Sequence, residues 1–184
     1  MGAIAAKEYE LKSGEKIVIR SVMPEEADAV LDYVRKVLDE SEYFLTLPDE
    51  FTYTLDEEKE LIKNLNEHPC GVVLAADVDG TLAGLLMLVS DKKRRLAHTV
   101  TLHISILKEW RNRGMGSALI RELIEWAENN TELEKICLGV FSTNDRAIRL
   151  YKNMGFIEEG RRERQYKISP GEYVDEVLMA RFVK

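Results

Sequence analysis

The sequence has only two cysteines, Cys70 and Cys137, far apart and outside any metal-ligand spacing. That excludes a disulfide scaffold or a cysteine-based zinc site, and predicts two buried free thiols. Long apolar runs are also missing. Leu82–Val89 is the longest, far too short to span a bilayer. Met1–Glu10 has neither an apolar core nor a cleavage pattern, so no secretory signal is expected and a cytoplasmic protein is the default. Positive charge is in deficit. The formal net charge of −7 argues against nonspecific nucleic-acid binding and leaves room for a cationic substrate such as an amine. Internal repeats, low-complexity tracts and linkers are absent, so the 184 residues are expected to form one domain, 1–184, with its core at about 16–183.

What is present is an apolar content of 45 %, enough for a sizeable core. Lys16–Val22 alternates and is β-branched, which predicts a strand. Pro24 opens a helical pattern with Ala27, Val30, Leu31, Val34 and Leu38 on one face. Tyr43–Tyr53 is aromatic and contains Pro48, as a loop would. Thr54 and Glu57 form a capping box for a second helix that Pro69 ends. Gly71–Asp77 and Thr81–Val89 are two strands joined at Asp79-Gly80, a tight-hairpin signal. Asp91–Arg95, "DKKRR", reads as a nuclear-type basic signal or as a solvated loop, and the loop is the simpler account. His98–Leu107 is a strand, Gly116–Asn129 a helix, and Lys135–Phe141 a strand. Asn144 caps a helix that Gly155 ends, and an antiparallel pair around "SPGE" closes the chain. The pattern predicts an α/β fold with a mixed, mostly antiparallel central sheet flanked by helices.

Between strand and helix lies "RNRGMG", Arg111–Gly116. A helix start offers N–H groups without intrahelical partners and a partial positive charge, a natural cradle for phosphate. Gly114 and Gly116 would let the backbone approach phosphate oxygens, with Arg111 and Arg113 beside it. A P-loop is excluded because no Gly-Lys-Ser/Thr follows. A dinucleotide fold is excluded because Leu119 stands at the third glycine position.

"RNRGMG" resembles the Arg/Gln-x-x-Gly-x-Gly/Ala signature of the GCN5-related N-acetyltransferases. Downstream, "NDRAIRLYKNMGF" is similar to that family's Asn-x-x-Ala-x-x-Leu-Tyr-x-x-x-Gly-Phe segment. The resemblance implies an N-acetyltransferase fold that uses acetyl-coenzyme A, with no metal, to acetylate a primary amine. The acceptor would be a small molecule (amino acid, polyamine or drug-like amine) or a protein N-terminus or lysine. It implies that the amides of Arg111, Asn112, Arg113, Gly114, Met115, Gly116 and Ser117 hold the pyrophosphate. Ile104 and Ile106 would line the strand edge that pairs with the pantetheine arm, and a backbone N–H near Ile106 would polarise the thioester carbonyl. Asn144 corresponds to a cofactor-contacting asparagine, a role compatible with capping. Tyr151 corresponds to the acid that protonates the leaving thiolate, whereas periodicity alone would pack it with Ala147, Ile148 and Met154.

The base stays open. Some relatives carry a glutamate five residues before the position of Ile106, and this sequence has Thr101 there. Water, His98, His103, or an acid among Glu42, Asp49 and Glu50 are the alternatives. His98 and His103 have opposite strand parity, so at most one should face the site. The acceptor mouth is expected from the Tyr43–Tyr53 loop, with Phe44, Asp49, Glu50 and Tyr53, and from the "SPGE" hairpin. "GRRERQ", Gly160–Gln165, is either an acceptor contact or a charge-paired strand. Homodimers are common in the family, though no coiled-coil pattern demonstrates one here. The competing function is a non-catalytic acyl-coenzyme A sensor.

Overall fold

In the computed structural model, which describes residues 4–91 and 93–184, eight strands form one sheet in the order β1-β2-β3-β4-β5-β6-β8-β7. The strands are β1 (Lys7–Glu10), β2 (Lys16–Ser21), β3 (Val72–Val78), β4 (Thr81–Ser90), β5 (Thr99–Ile106), β6 (Lys135–Phe141), β7 (Ile157–Ser169) and β8 (Glu172–Phe182). The helices are α1 (Ala27–Asp39), α2 (Leu55–Glu67), α3 (Met115–Asn129) and α4 (Asp145–Asn153). Every strand pair is antiparallel except β5 with β6. The mixed, mostly antiparallel sheet is therefore as expected.

Both faces of the sheet are covered. Leu74, Leu86, Leu88 and Ile136 pack with Leu119, Ile120 and Leu123 of α3. Val73, Ala75 and Leu85 pack with Val30, Tyr33 and Val37 of α1 and Ile62 of α2. Consecutive residues of β3 thus enter opposite cores, and the whole strand is buried, as expected for a sheet between two helical layers.

Local signals explain the element ends. Pro24 opens a 3₁₀ turn ahead of α1, and Glu26 accepts the Met23 N–H at 2.8 Å. Thr54 Oγ1 accepts from the Glu57 N–H at 3.3 Å while Glu57 Oε2 accepts the Thr54 N–H at 2.8 Å, completing the capping box. Asp79 and Gly80 both have positive φ, +49° and +78°, as a tight hairpin turn requires.

Three expectations need correction. Strand β1 was not expected, because "KEYE" is short and charged. It pairs with β2 and is tied to α3, where the Tyr9 hydroxyl donates to the buried Glu122 carboxylate and Lys7 Nζ lies 3.0 Å from it. His98 falls in the turn before β5, where its carbonyl accepts the N–H groups of Glu134 and Lys135. Cys70 is buried and Cys137 only half-buried, both free. "DKKRR" agrees with the solvated-loop reading: Lys92 lies outside the described residues, and Arg94–Leu96 is an exposed 3₁₀ turn.

The feature that makes a site is the single parallel pair. Strands β5 and β6 are matched only at Thr99↔Lys135, Val100↔Ile136 and Thr101↔Cys137. Beyond that point β5 stays with β4 up to Ile106, and β6 stays with β8 up to Phe141. The two arms separate into a V.

Candidate active site

A cavity of about 670 Å³ lies in and around this V. Among the expected site residues it is lined by Ile104, Ile106, Arg111, Asn112, Gly114, Gly116, Ser117, Asn144 and Tyr151. Side chains of Arg113 and Met115 do not reach it.

At one end is the start of α3. Gly114 is its N-cap with φ of +100°, a backbone conformation suited to glycine. Asn112 adopts φ of +65°, which asparagine tolerates. Among the described residues, no carbonyl or side chain accepts from the N–H groups of Asn112 through Ser117; the first amide to find a partner is Ala118, on the Gly114 carbonyl at 3.0 Å. Six donors are therefore left for a ligand. Gly116 also answers a packing need that was not expected. A Cβ there would lie 3.0 Å from Leu150 Cδ2 and 3.2 Å from Ile106 Cδ1. Its missing side chain lets α3, α4 and β5 meet.

The two arginines divide. The Arg111 N–H is taken by the Lys108 carbonyl at 3.3 Å, so it is not free to bind phosphate. Its side chain stays at the cavity, with Nε donating to the Ile106 carbonyl at 2.8 Å and Nη1 to the Glu40 carbonyl at 3.4 Å. Burial and the nearby Arg146 guanidinium hold Arg111 below its ordinary pKa. Arg113 turns away to pair with Glu15 and to lie over the Trp110 ring at 4.9 Å, and its carbonyl accepts the Lys12 N–H at 3.2 Å. Met115 is 1 % exposed and packs in the core. For Arg113 and Met115 the expected contribution therefore rests on backbone N–H groups alone. Lys12, Arg111 and Arg146 all line the cavity, and among the described residues none forms an ion pair. Unneutralised cations beside six free amides fit a polyanionic ligand such as a diphosphate.

Along the arm of β5, register settles where backbone groups point. The Leu107 N–H donates to the Ala83 carbonyl at 3.0 Å. Hydrogen-bonded and non-bonded pairs alternate in an antiparallel ladder, so Ser105, His103 and Thr101 bond to β4. The N–H and C=O of Leu102, Ile104 and Ile106 then face the opening V. Arg111 occupies the Ile106 carbonyl. The Ile106 N–H and both groups of Ile104 remain, as a strand-like edge for an extended ligand.

On α4, the Asn144 side chain caps the helix by accepting the Ala147 N–H at 3.2 Å. Tyr151 is 8 % exposed, with its ring 5.8 Å from that of Phe156. Its hydroxyl has no hydrogen-bond partner among the described residues, and burial alone pushes its pKa up to about 12. A phenol left unpaired at a cavity wall is available to a ligand.

The other half of the cavity is aromatic. Tyr43, Phe44, Leu45, Thr46 and Phe51 come from the loop after α1, and Phe141, Tyr166 and Glu176 from the far arm. Phe141 stacks on Tyr166 at 4.2 Å and meets Tyr43 edge-on at 6.1 Å. The expected mouth is thus only partly right. Phe44 lines the cavity, whereas Tyr53 stacks on Phe51 at 5.5 Å outside it. Glu42, Asp49 and Glu50 are exposed and do not line it; Glu50 accepts the Leu47 N–H at 2.9 Å. The "SPGE" turn is not at the wall, but strands on either side of it supply Tyr166 and Glu176. Within "GRRERQ", Arg161 pairs with Asp175 and Arg162 with Glu176, as a charge-paired strand. His103 lines the cavity and His98 does not; desolvation holds the His103 imidazole below its ordinary pKa. Thr101 is also at the wall, so β5 brings a hydroxyl and no carboxylate to this side of the cavity.

Sequence reasoning missed Lys12, Phe141, Tyr166 and Glu176. Lys12 belongs to the turn after the unexpected β1. Phe141 and Glu176 are opposite partners in the β6–β8 register, which strand alternation alone does not reveal.

A splayed strand pair, with a helix start of free amides at one end and an aromatic chamber at the other, suits an enzyme that brings a phosphate-bearing donor to a second substrate. The chain belongs to the acetyltransferase (GNAT) family, whose model matches residues 32–156. It is an acetyl-coenzyme A-dependent N-acetyltransferase. It is 38 % identical over 119 residues to the L-amino acid N-acetyltransferase AaaT of Escherichia coli (strain K12), covering 65 % of this chain and 73 % of that one. The GNAT-family acetyltransferase structure from Streptococcus pneumoniae superposes with a TM-score of 0.87 at 28 % identity, over 91 % of this chain and 99 % of that one. The fold is also shared with yncA of Salmonella typhimurium, solved with its cofactor acetyl-CoA: TM-score 0.79, 16 % identity, 91 % and 94 % coverage. No helix among the described residues is long and apolar enough to cross a membrane.

Proposed function

We propose that this N-acetyltransferase acts on the primary amine of a small molecule carrying an apolar or aromatic group, of which an amino acid is the leading class. The observation that carries the choice is the acceptor half of the cavity. It is walled by Tyr43, Phe44, Phe51, Phe141 and Tyr166, and Glu176 is the one carboxylate lining it among the described residues. A polyamine would bring several ammonium groups and find one acid. A protein N-terminus is the second reading, favoured by the exposed Leu45 and Leu47 beside the chamber, at 67 % and 55 % exposure.

In this reading the amides of Asn112 through Ser117 hold the pyrophosphate, with Lys12, Arg111 and Arg146 around them. Ile104 presents its N–H and C=O to the pantetheine arm, and Asn144 stands at the wall beside it. Acetyl-coenzyme A supplies an acetyl group activated as a thioester. The Ile106 N–H donates to the carbonyl oxygen as negative charge grows there, a contribution of about 3–4 kcal/mol for such a donor. Tyr151 gives its proton to the departing sulfur and recovers one from the acylated nitrogen. With its pKa near 12 the phenol is fully protonated at neutral pH. It is also a weak acid, so its proton moves as charge develops on sulfur in the same buried space rather than beforehand.

The whole chain is read as one catalytic domain. It is read as cytoplasmic too, because both cysteines are free thiols, as a reducing compartment leaves them. The test is thiol release from acetyl-coenzyme A with a panel of aromatic, aliphatic and acidic amino acids, spermidine, and peptides with free N-termini. Turnover led by aromatic or aliphatic amino acids is expected. Faster turnover of spermidine overturns the acceptor choice. Thermal stabilisation by acetyl-coenzyme A without release on any amine would favour a sensor.

A further inference from the structure

Thr101 leaves the β5 arm without a carboxylate, and the opposite arm supplies one. Glu176 on β8 lines the cavity and is 9 % exposed. Its Oε1 accepts the Tyr166 hydroxyl at 2.6 Å, and its Oε2 accepts Arg162 Nη1 at 2.9 Å. The side chain leans across β6 above Gly139, where a Cβ would overlap Oε1. Only glycine at that position admits this pose.

Register places the carboxylate on the acceptor side. Thr101 is matched with Cys137, so Thr101, His103 and Ser105 share a sheet face with Cys137, Gly139 and Phe141. Phe141 is matched with Glu176. Ser105 Oγ lies 3.0 Å from the Tyr33 hydroxyl of α1, which identifies the face as the one under α1 and the aromatic loop. The carboxylate therefore looks into the chamber framed by Tyr43, Phe141 and Tyr166.

Resting on the N-acetyltransferase reading of this cavity, we propose that Glu176 is the catalytic carboxylate of the acceptor half: it binds the ammonium group of the amine and takes one of its protons. A carboxylate has about four lone-pair sites. Tyr166 and Arg162 fill two and fix its position, leaving others for an ammonium. The ammonium N–H bond breaks toward Glu176, giving a carboxylic acid and a neutral amine whose lone pair is free to form the C–N bond. Glu176 then passes the proton to water in the cavity. The charged and titratable groups around it are Arg162 and Tyr166 from β7, His103 from β5 and Tyr43 from the loop. His103 is held toward its neutral form, so it does not compete as a cation for the carboxylate.

The experiment compares wild type with Glu176→Gln, which keeps the shape and the Tyr166 contact, and Gly139→Ala, which displaces the carboxylate but keeps its charge. kcat/KM for the amine is measured from pH 6 to 10 by thiol release, with acetyl-coenzyme A Kd and melting temperature as controls. Glu176→Gln should lose about 10²–10⁴-fold in kcat/KM near neutral pH with Kd within twofold of wild type. The defect should shrink as rising pH deprotonates the amine in solution. Gly139→Ala should lose at least about tenfold in the same direction, and it carries the test should Glu176→Gln fail to fold. Wild-type kcat/KM in a folded Glu176→Gln, or a defect that does not change with pH, overturns the assignment while the acetyltransferase reading stands. A wild type that releases no thiol with any amine overturns both.

Discussion

Gly114→Ala tests whether the backbone of the glycine loop is prearranged for its ligand. Gly114 has φ of +100°, and a Cβ built there would meet nothing closer than Lys12 Cγ at 3.7 Å, an ordinary contact. The cost of alanine is therefore backbone strain, about 1–2 kcal/mol for an L-residue forced into the left-handed region. If the folded loop keeps its shape, stability bears this cost. At about 2–4 °C per kcal/mol for a chain of this size, the melting temperature falls by about 2–8 °C. If the loop relaxes instead, the six free N–H groups lose alignment and binding must restore it. Acetyl-coenzyme A Kd then weakens by about 5–30-fold. Gly171→Ala is the control: φ there is +86°, nothing lies within 4 Å of a Cβ, and the residue sits in the β7–β8 turn outside the cavity. It should show the melting loss with unchanged Kd. Calorimetric titration and thermal melting of both variants divide the cost. Gly114→Ala that melts and binds as wild type does would refute the reasoning, since neither stability nor binding would then depend on the loop's left-handed turn.

Two further outcomes follow from the site. Tyr151→Phe should lower kcat by about 10²–10⁴-fold while leaving acetyl-coenzyme A Kd and the melting temperature near wild type, because the lost hydroxyl has no partner among the described residues; unchanged turnover would remove Tyr151 as the acid. His103 has a folded-state pKa below its ordinary 6.5. The unfolded chain therefore binds the proton more readily, so this group's contribution is fully present above about pH 6.5 and is lost as pH falls through the folded pKa. His103→Gln should flatten the fall in melting temperature between pH 7.5 and 5.5, and an identical slope in both proteins would contradict the desolvated imidazole.

Much of the fold was legible because its signals are local. A capping box at Thr54, a hairpin dipeptide at Asp79-Gly80 and the apolar periods of α1 and α3 each act through residues within a turn or two of one another. "KEYE" was not legible as a strand. Its pairing comes from β2 and its anchor from Glu122, more than a hundred residues away. The free-amide helix start was likewise legible, since a glycine loop before a helix is contiguous in the chain. Even there, the structure gave Gly116 a packing role that the motif does not show and turned the Arg113 side chain toward Glu15.

The sequence by itself determined the helix and strand pattern and, through two contiguous motifs, the acetyl-coenzyme A chemistry. Only the tertiary structure decided the aromatic half of the cavity. Where β5 and β6 part after three matched residues, groups from α1, its following loop, β5, β6, β7 and β8 converge on one space. Glu176 comes into that space through strand register and the bare backbone of Gly139. Both are relations between segments distant in the chain, and neither leaves a mark within any one of them.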